Sequence, residues 1–447
     1  MKAVILAAGR GRRLSELGEP KPLVSLLGLS LIERIILTAS RAGIDEFCVI
    51  TGYRGQEVES ALRRLSQTRR LNITTIHNKD WPKGNALSAL KGRDFVGQES
   101  FFLLMGDHLF DARIIERLKQ RPPEEGQVLL AVDSHLDNPF IDPLDATKVQ
   151  VSQGLIRAIG KEINPYNGYD TGIFYCTPAI FPALQEGIDQ GDGRLSGAME
   201  ILAKQGSLKA IDIGGLFWID IDDLSAYQRA RKALKENLRS KATDGPISRH
   251  INRPISLFIT EKLLLPRRIS PNQITIFSFL LSLLAAGAFF MTPGWGPILG
   301  AFLAQLASIV DGCDGEVARL KFLESPFGGW LDSLLDRYAD AALIFAMAGH
   351  LHRQQPSDLL LISAFLALVG SFMVSYTAPH YDKLIRRGQV PSGWRIGRDV
   401  RIFIIFIGVL AGQILATLIL LALLMNLEVL RRIFVFYQLE RSPTRSA

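Results

Sequence analysis

Two clusters of residues in this chain have the types and spacing to handle phosphate. The first runs Asp311-Gly312-Cys313-Asp314-Gly315-Glu316-Val317-Ala318-Arg319 and continues at Gly328, Asp332 and Asp336. Asp311 and Asp314 are three apart and Asp332 and Asp336 four apart, so on helices each pair shares a face. Four carboxylates drawn together repel strongly unless cations neutralise them, and acidic residues set among apolar spans are costly and usually functional. Two Mg²⁺ ions bound by the cluster would answer the repulsion and hold a pyrophosphate. Oxygen-only ligands favour Mg²⁺ and tolerate Mn²⁺. Gly315 and Ala318 leave room for a nucleotide, and Arg319 supplies an anchoring charge.

The second cluster is Leu6-Ala7-Ala8-Gly9-Arg10-Gly11-Arg12-Arg13-Leu14, with Pro20-Lys21-Pro22-Leu23 after it. Gly9 and Gly11 let backbone N–H groups approach phosphate oxygens, while Arg12, Arg13 and Lys21 supply charge. A dinucleotide loop would need a third glycine where Leu14 stands, and no GxxxxGK[ST] pattern occurs.

The elements that must position these residues divide the chain in two. Up to about residue 240, apolar runs at Lys2–Ala7, Glu46–Thr51, Ile73–His77, Phe101–Met105 and Val128–Val132 alternate with helical patterns such as Leu31–Ala42 and Gln56–Leu65. That alternation predicts an α/β doubly wound domain with a mostly parallel sheet. Strands near Lys148–Ile159, Gly172–Cys176 and Lys209–Ile213 extend it. Thr243-Asp244-Gly245-Pro246-Ile247 breaks the following helix, and Ile251 to Leu265 reads as an amphipathic helix, either at a membrane surface or between domains. The division is a domain over 1–235, a linker and juxtamembrane helix over 236–270, and an all-α transmembrane domain over 271–447.

Six spans are expected: Ile274–Met291, Gly296–Val310, Trp330–Ala348, Leu359–Tyr376, and two helices from Ile402 to beyond Leu427 turning near Gly412–Gln413. Inner segments would carry Arg267, Arg268, Arg319, Lys321, Lys383, Arg386, Arg387, Arg395, Arg398, Arg401, Arg431 and Arg432, and outer loops only Arg353. This asymmetry places both termini and both sites in the cytoplasm. The N-terminus starts a strand and lacks the pattern of a signal peptide. The formal charge of +7 is absorbed by membrane margins and anionic substrates, with no nucleic acid implied. Cys48, Cys176 and Cys313 have no disulfide or metal-finger spacing and fit a reducing compartment.

The second cluster, the glycine loop with its ProLysPro, resembles the sugar-phosphate nucleotidyltransferase family over roughly residues 1–235. The resemblance implies nucleotide contacts from Ala8, Gly9, Gly11 and Gly84-Asn85-Ala86, catalytic charge from Arg13 and Lys21, and metal carboxylates at Asp107 and Asp220 rather than Asp222. It also places Lys161 and Asp170 near the phosphorylated substrate. In such chemistry a phosphate monoester is already a nucleophile, so charge neutralisation and alignment suffice.

The aspartate cluster resembles the CDP-alcohol phosphotransferase family, together with Ser270-Pro271-Asn272-Gln273-Ile274-Thr275 at the entry to the first span. The resemblance implies nucleotide contacts from Asp311, Asp314, Gly315, Ala318 and Arg319, and metal binding by Asp311, Asp314, Asp332 and Asp336. Asp336 would be the general base, and a homodimer through the spans is expected. The basic residues Lys383, Arg386, Arg387, Arg395 and Arg398 follow from topology alone or include a phosphate site for the acceptor.

Joined, the two halves are similar to the bifunctional family that makes CDP-inositol from CTP and inositol-1-phosphate and transfers its inositol phosphate group to a second inositol-1-phosphate, with CMP leaving. Choline or glycerol phosphate as the activated group, and a lipid hydroxyl as the acceptor, remain open at this level. So does a transporter or anchor carrying a regulatory nucleotide-binding head.

Overall fold

The computed structural model describes residues 1–239, 245–292, 294–386, 388–390 and 396–441. The chain separates into two compact units, Met1–Ala233 and Leu234–Ala447. The expected break at 243–247 lies partly outside the described residues.

The first unit is built on nine strands: β1 (Lys2–Ala7), β2 (Glu46–Thr51), β3 (Asn72–His77), β4 (Phe101–Met105), β5 (Val128–Asp133), β6 (Lys148–Ser152), β7 (Leu155–Gly160), β8 (Gly168–Cys176) and β9 (Leu208–Asp212). They form one sheet in the order β3-β2-β1-β4-β8-β5-β9-β7-β6. From β1 to β4, helices such as Leu31–Arg41 and Gly55–Arg69 cross between strands, and the pairing is parallel.

The sheet is mixed rather than mostly parallel. β8 runs antiparallel to β4 and β5, and β7 antiparallel to β6 and β9. The reason is local: β6 and β7 are joined by Gln153 and Gly154, both at positive φ (52° and 76°). A two-residue turn of that kind joins only antiparallel neighbours. Strand β1 is buried along Ala3–Ala7, which gives this half its continuous apolar core with β2, β4 and β5.

The second unit begins with a helical run over 248–264. Its polar residues Asn252, Arg253, Ser256 and Thr260 are buried, while Ile255, Phe258 and Leu263 are exposed. The exposed apolar face suits a helix lying at a membrane surface. Six helices follow: α1 (Pro271–Ala288), α2 (Trp295–Leu320), α3 (Pro326–His352), α4 (Asp358–Arg386), α5 (Arg398–Leu410) and α6 (Ile414–Arg441).

Among the described residues, four of these helices, α1, α2, α4 and α6, are long and apolar enough to cross a membrane, not the six expected. Helix α3 carries Asp336, Arg337 and Asp340 near its centre, and α5 has only 13 residues, against the ~20 a crossing requires. Four such helices make a multi-pass membrane unit. Small residues let α1 and α2 approach: a Cβ on Gly300 would lie 2.6 Å from the Phe289 ring.

Candidate active sites

In the first unit, the loop after β1 and the residues after β4 meet at the carboxyl ends of parallel strands. Gly106 donates to the Leu6 carbonyl at 2.9 Å, and a Cβ there would sit 2.5 Å from that oxygen. Only glycine lets the chain turn this closely and deliver Asp107 beside the loop. Gly11 has φ 65°, and a Cβ on it would lie 2.5 Å from the Lys21 side chain. The second loop glycine therefore makes room for the lysine.

Lys21 is buried, with Nζ 2.6 Å from Asp107 Oδ2 and 2.5 Å from Asp222 Oδ1. Burial opposes its charge, but Asp107, Asp222 and Asp220 outweigh burial and raise its pKa. Arg13 bridges Asp145 (2.7 Å) and Asp222 (2.9 Å), and Lys161 meets the other oxygen of Asp145 at 2.6 Å. Asp145 and Asp222, not singled out in the sequence as charge partners, thus hold Arg13 and Lys161 on one cavity of about 560 Å³, and Asp222 reaches Lys21 from its wall. Asn85 borders it, its Oδ1 accepting from Leu195 N at 2.7 Å. Asp170 also borders it, and burial pushes its carboxyl up to about 6.

Asp220 arrives on a short antiparallel ribbon, Trp218–Asp220 against His108–Phe110, which sets Asp220 opposite His108. Trp218 Nε1 donates to the buried Asp133 at 2.8 Å and ties the ribbon to the end of β5. Asp107, His108 and Asp220 converge with their ligand atoms within 4.8 Å of one another. Asp107 Oδ1 and Asp220 Oδ1 are buried without a hydrogen-bond partner, as oxygens awaiting a cation would be. Burial disfavours charge on His108, but Asp220 and Asp107 prevail and push its pKa up to about 10.

In the second unit, α2 presents Asp311 and Asp314, and α3 presents Asp332 and Asp336. Oxygens of Asp311, Asp314 and Asp332 lie within 4.8 Å of one another, an oxygen donor set that fits a hard divalent cation. The cavity beside them, about 350 Å³, is bordered by Gly315, Ala318, Arg319 and Gly328. Asp336 turns to Arg398, whose Nη1 is 2.6 Å from it and 3.2 Å from Asp311, while Nε meets Asp340 at 3.1 Å. Arg401 holds the other oxygen of Asp340 at 3.2 Å.

Two hydroxyls of α1 support the cluster: Thr275 donates to Asp314 (2.6 Å) and Ser278 to Asp311 (3.1 Å). The entry motif has a structural account as well. Ser270 caps α1, Pro271 takes its first turn, and Gln273 closes a capping box. Of the other basic residues, Lys383 is exposed, the Arg386 side chain is not described, and Arg387 and Arg395 lie outside the described residues.

The comparisons with known proteins cover both halves. Residues 3–198 match the MobA-like NTP transferase domain, and residues 268–435 match CDP-alcohol phosphatidyltransferase. A "Bifunctional IPC transferase and DIPP synthase" of Rubrobacter xylanophilus is 36% identical over 96% of this chain and 95% of its own length. The protein so named in Aquifex aeolicus is 33% identical over 98% of both chains, and that of Thermococcus kodakarensis 33% identical over 96% and 95%. The chain belongs to this bifunctional family.

One polar cluster outside the IPC transferase and DIPP synthase signature residues docks the helical run over 248–264 onto α2. Glu316 is fully buried and accepts from Ser256 (2.5 Å), Thr260 (2.7 Å) and Arg253 (3.1 Å). Arg253 also reaches the Gly312 carbonyl at 3.3 Å, between the two aspartates of α2. Glu316→Ala removes the carboxylate that faces the buried Arg253 charge and is expected to cost about 3–5 kcal/mol in the second unit alone. Stepwise heating in detergent checks this: CMP-forming activity should be lost at a lower temperature, with pyrophosphate-forming activity lost where it was. Equal loss of both activities would refute the assignment.

Proposed function

We propose that the chain joins CTP and inositol-1-phosphate into CDP-inositol and pyrophosphate in its first unit. In its second unit it transfers the inositol phosphate group of CDP-inositol to a second inositol-1-phosphate, releasing CMP and forming di-myo-inositol phosphate phosphate. The observation that carries the reading is the presence, in one chain similar along nearly its full length to bifunctional relatives, of two side-chain clusters that could each hold a metal ion.

In the first step, an oxygen of the inositol phosphate attacks the α-phosphorus of CTP. Lys21 and Arg13 stabilise the negative charge that grows there, and their carboxylate partners in the free site hold them in place for it. Ala8, Gly9 and Gly11 line the triphosphate, Gly84 and Asn85 face the base, and Lys161 and Asp170 receive the inositol phosphate. In the second step, Asp336 accepts the proton of the acceptor hydroxyl as that oxygen attacks the β-phosphorus. Gly315, Ala318 and Arg319 seat the CMP moiety.

Mg²⁺, held by Asp107 and Asp220 in one unit and by Asp311, Asp314, Asp332 and Asp336 in the other, would neutralise phosphate oxygens and lower the charge barrier to attack. Asp340 fixes Arg398 through Nε while Nη1 meets Asp311 and Asp336, the edge where the acceptor phosphate would arrive. Lys383, Arg386 and Arg387 belong to the same proposed acceptor region. Both sites and both termini are placed in the cytoplasm, on the charge asymmetry that six crossings would give the connecting segments. A homodimer through the helical unit completes the proposal.

The test is ³¹P NMR of purified, detergent-solubilised protein given CTP, Mg²⁺ and inositol-1-phosphate. Pyrophosphate, CMP and a water-soluble phosphodiester should appear together. Absence of pyrophosphate, with choline phosphate or glycerol phosphate reacting in its place, would overturn the inositol assignment.

A further inference from the structure

His108 is the one member of the first unit's triad that the sequence reading passed over. We propose that its Nε2 is a direct ligand of the cation held by Asp107 and Asp220, so that this site has one nitrogen and two carboxylate donors. The inference rests on reading those two aspartates as cation ligands.

The ring's orientation carries the argument. Nδ1 lies 2.7 Å from the Thr171 carbonyl oxygen, which can only accept, so Nδ1 bears a hydrogen. With Nδ1 so committed, Nε2 is the nitrogen whose proton a cation would displace, and it faces the carboxylates. An imidazole fixed through one nitrogen by a backbone carbonyl, with the other aimed at acidic ligands, is the arrangement that orients metal-binding histidines.

Distances agree with a shared ion better than with direct pairing. Nε2 is 3.5 Å from Asp220 Oδ2 and 3.7 Å from Asp107 Oδ1, at or beyond the limit of a hydrogen bond. Donors placed about 2.1 Å from one cation stand roughly 3.0–3.5 Å from each other. Asp107 divides its oxygens accordingly: Oδ2 takes Lys21, and Oδ1, the oxygen nearest His108, has no hydrogen-bond partner.

The backbone is shaped to admit the ring. Gly172 has φ 72°, and a Cβ on it would lie 2.4 Å from His108 Nδ1 and 2.7 Å from its Cε1. Strand β8 shifts register between Asp170 and Phe174, where that glycine stands. The flanking Thr171 is buried and anchored through its hydroxyl to the Ala131 carbonyl at 2.8 Å. A bulge, a left-handed glycine and an anchored carbonyl together hold one imidazole against two carboxylates. The donor set of the second unit is oxygen only, so the two sites differ in ligand type, and the nitrogen shifts the first site toward Mn²⁺.

Electron spin-echo spectroscopy of the full chain in detergent, loaded with Mn²⁺ alone, tests the assignment. A directly bound imidazole gives ¹⁴N modulation, and labelling the unmutated chain with ¹⁵N-histidine should replace it by the ¹⁵N pattern. His108→Gln should abolish the modulation and weaken Mn²⁺ binding at one class of site about tenfold or more. Mn²⁺ bound at both classes of site with no nitrogen modulation would overturn the proposal and leave His108 a counter-charge. If Asp107→Asn left Mn²⁺ stoichiometry unchanged, the aspartate reading itself would fall, an outcome separate from the first.

Discussion

Asp336→Asn should stop CMP release while pyrophosphate release continues at its original rate, so that CDP-inositol accumulates. Asparagine has nearly the shape of aspartate, and helix α3 has no reason to refold around it. What disappears is the oxygen that takes the acceptor's proton and the charge that meets Arg398 at 2.6 Å. Loss of a positioned general base lowers a rate by about 10²–10⁴. Here the variant also leaves the Arg398 guanidinium to Asp311 and Asp340 among its described partners, which pulls it from its position. The upper end of that range is therefore expected. ³¹P NMR of one reaction mixture reads both steps, and persistence of CMP release above about a hundredth of the original rate would remove Asp336 from the role of base.

Much of this arrangement was legible in the sequence because it is local. The three- and four-residue spacings of Asp311, Asp314, Asp332 and Asp336 put each pair on one helix face, and α2 and α3 bear them as that spacing requires. The turn between α5 and α6 was legible at Gly412–Gln413, since a run from 402 to 427 is too long for one crossing. The parallel part of the sheet followed from apolar strands separated by amphipathic helices.

The antiparallel part did not, because it turns on the backbone conformation of Gln153 and Gly154 and on β8 entering between β4 and β5. Long-range polar partners leave no periodic trace either. Asp145 meets Arg13 across 132 positions and Thr275 meets Asp314 across 39, so neither pair could be found by pattern. Asp340 could have been: it continues the four-residue step of Asp332 and Asp336 along the same face of α3. His108 stood next to Asp107, but nothing in the sequence said that Gly172 would clear a slot for its ring.

Lys21→Met should produce the reciprocal defect: no pyrophosphate from CTP and inositol-1-phosphate, with supplied CDP-inositol still consumed to CMP. Methionine keeps much of the side chain's volume, so the close passage beside Gly11 remains filled. Only the charge is removed, from a buried position where it holds Asp107 and Asp222 at 2.6 and 2.5 Å. A charge directed at a developing phosphate anion in a water-poor site is worth about 10²–10³ in rate. The two carboxylates left facing one another add to that loss by repelling the incoming triphosphate. Arginine is not expected to rescue, because its fork cannot enter the space that one ammonium occupies between two carboxylates. Mixing Lys21→Met with Asp336→Asn then decides whether the steps are separable. Each variant retains the site the other lacks, so free CDP-inositol made by the second should be finished by the first, and the phosphodiester should reappear. Pyrophosphate release by Asp336→Asn without product from the mixture would mean that CDP-inositol does not pass through solution. Failure of either variant alone to show its retained half-reaction would instead place that residue in both steps and refute the division of labour.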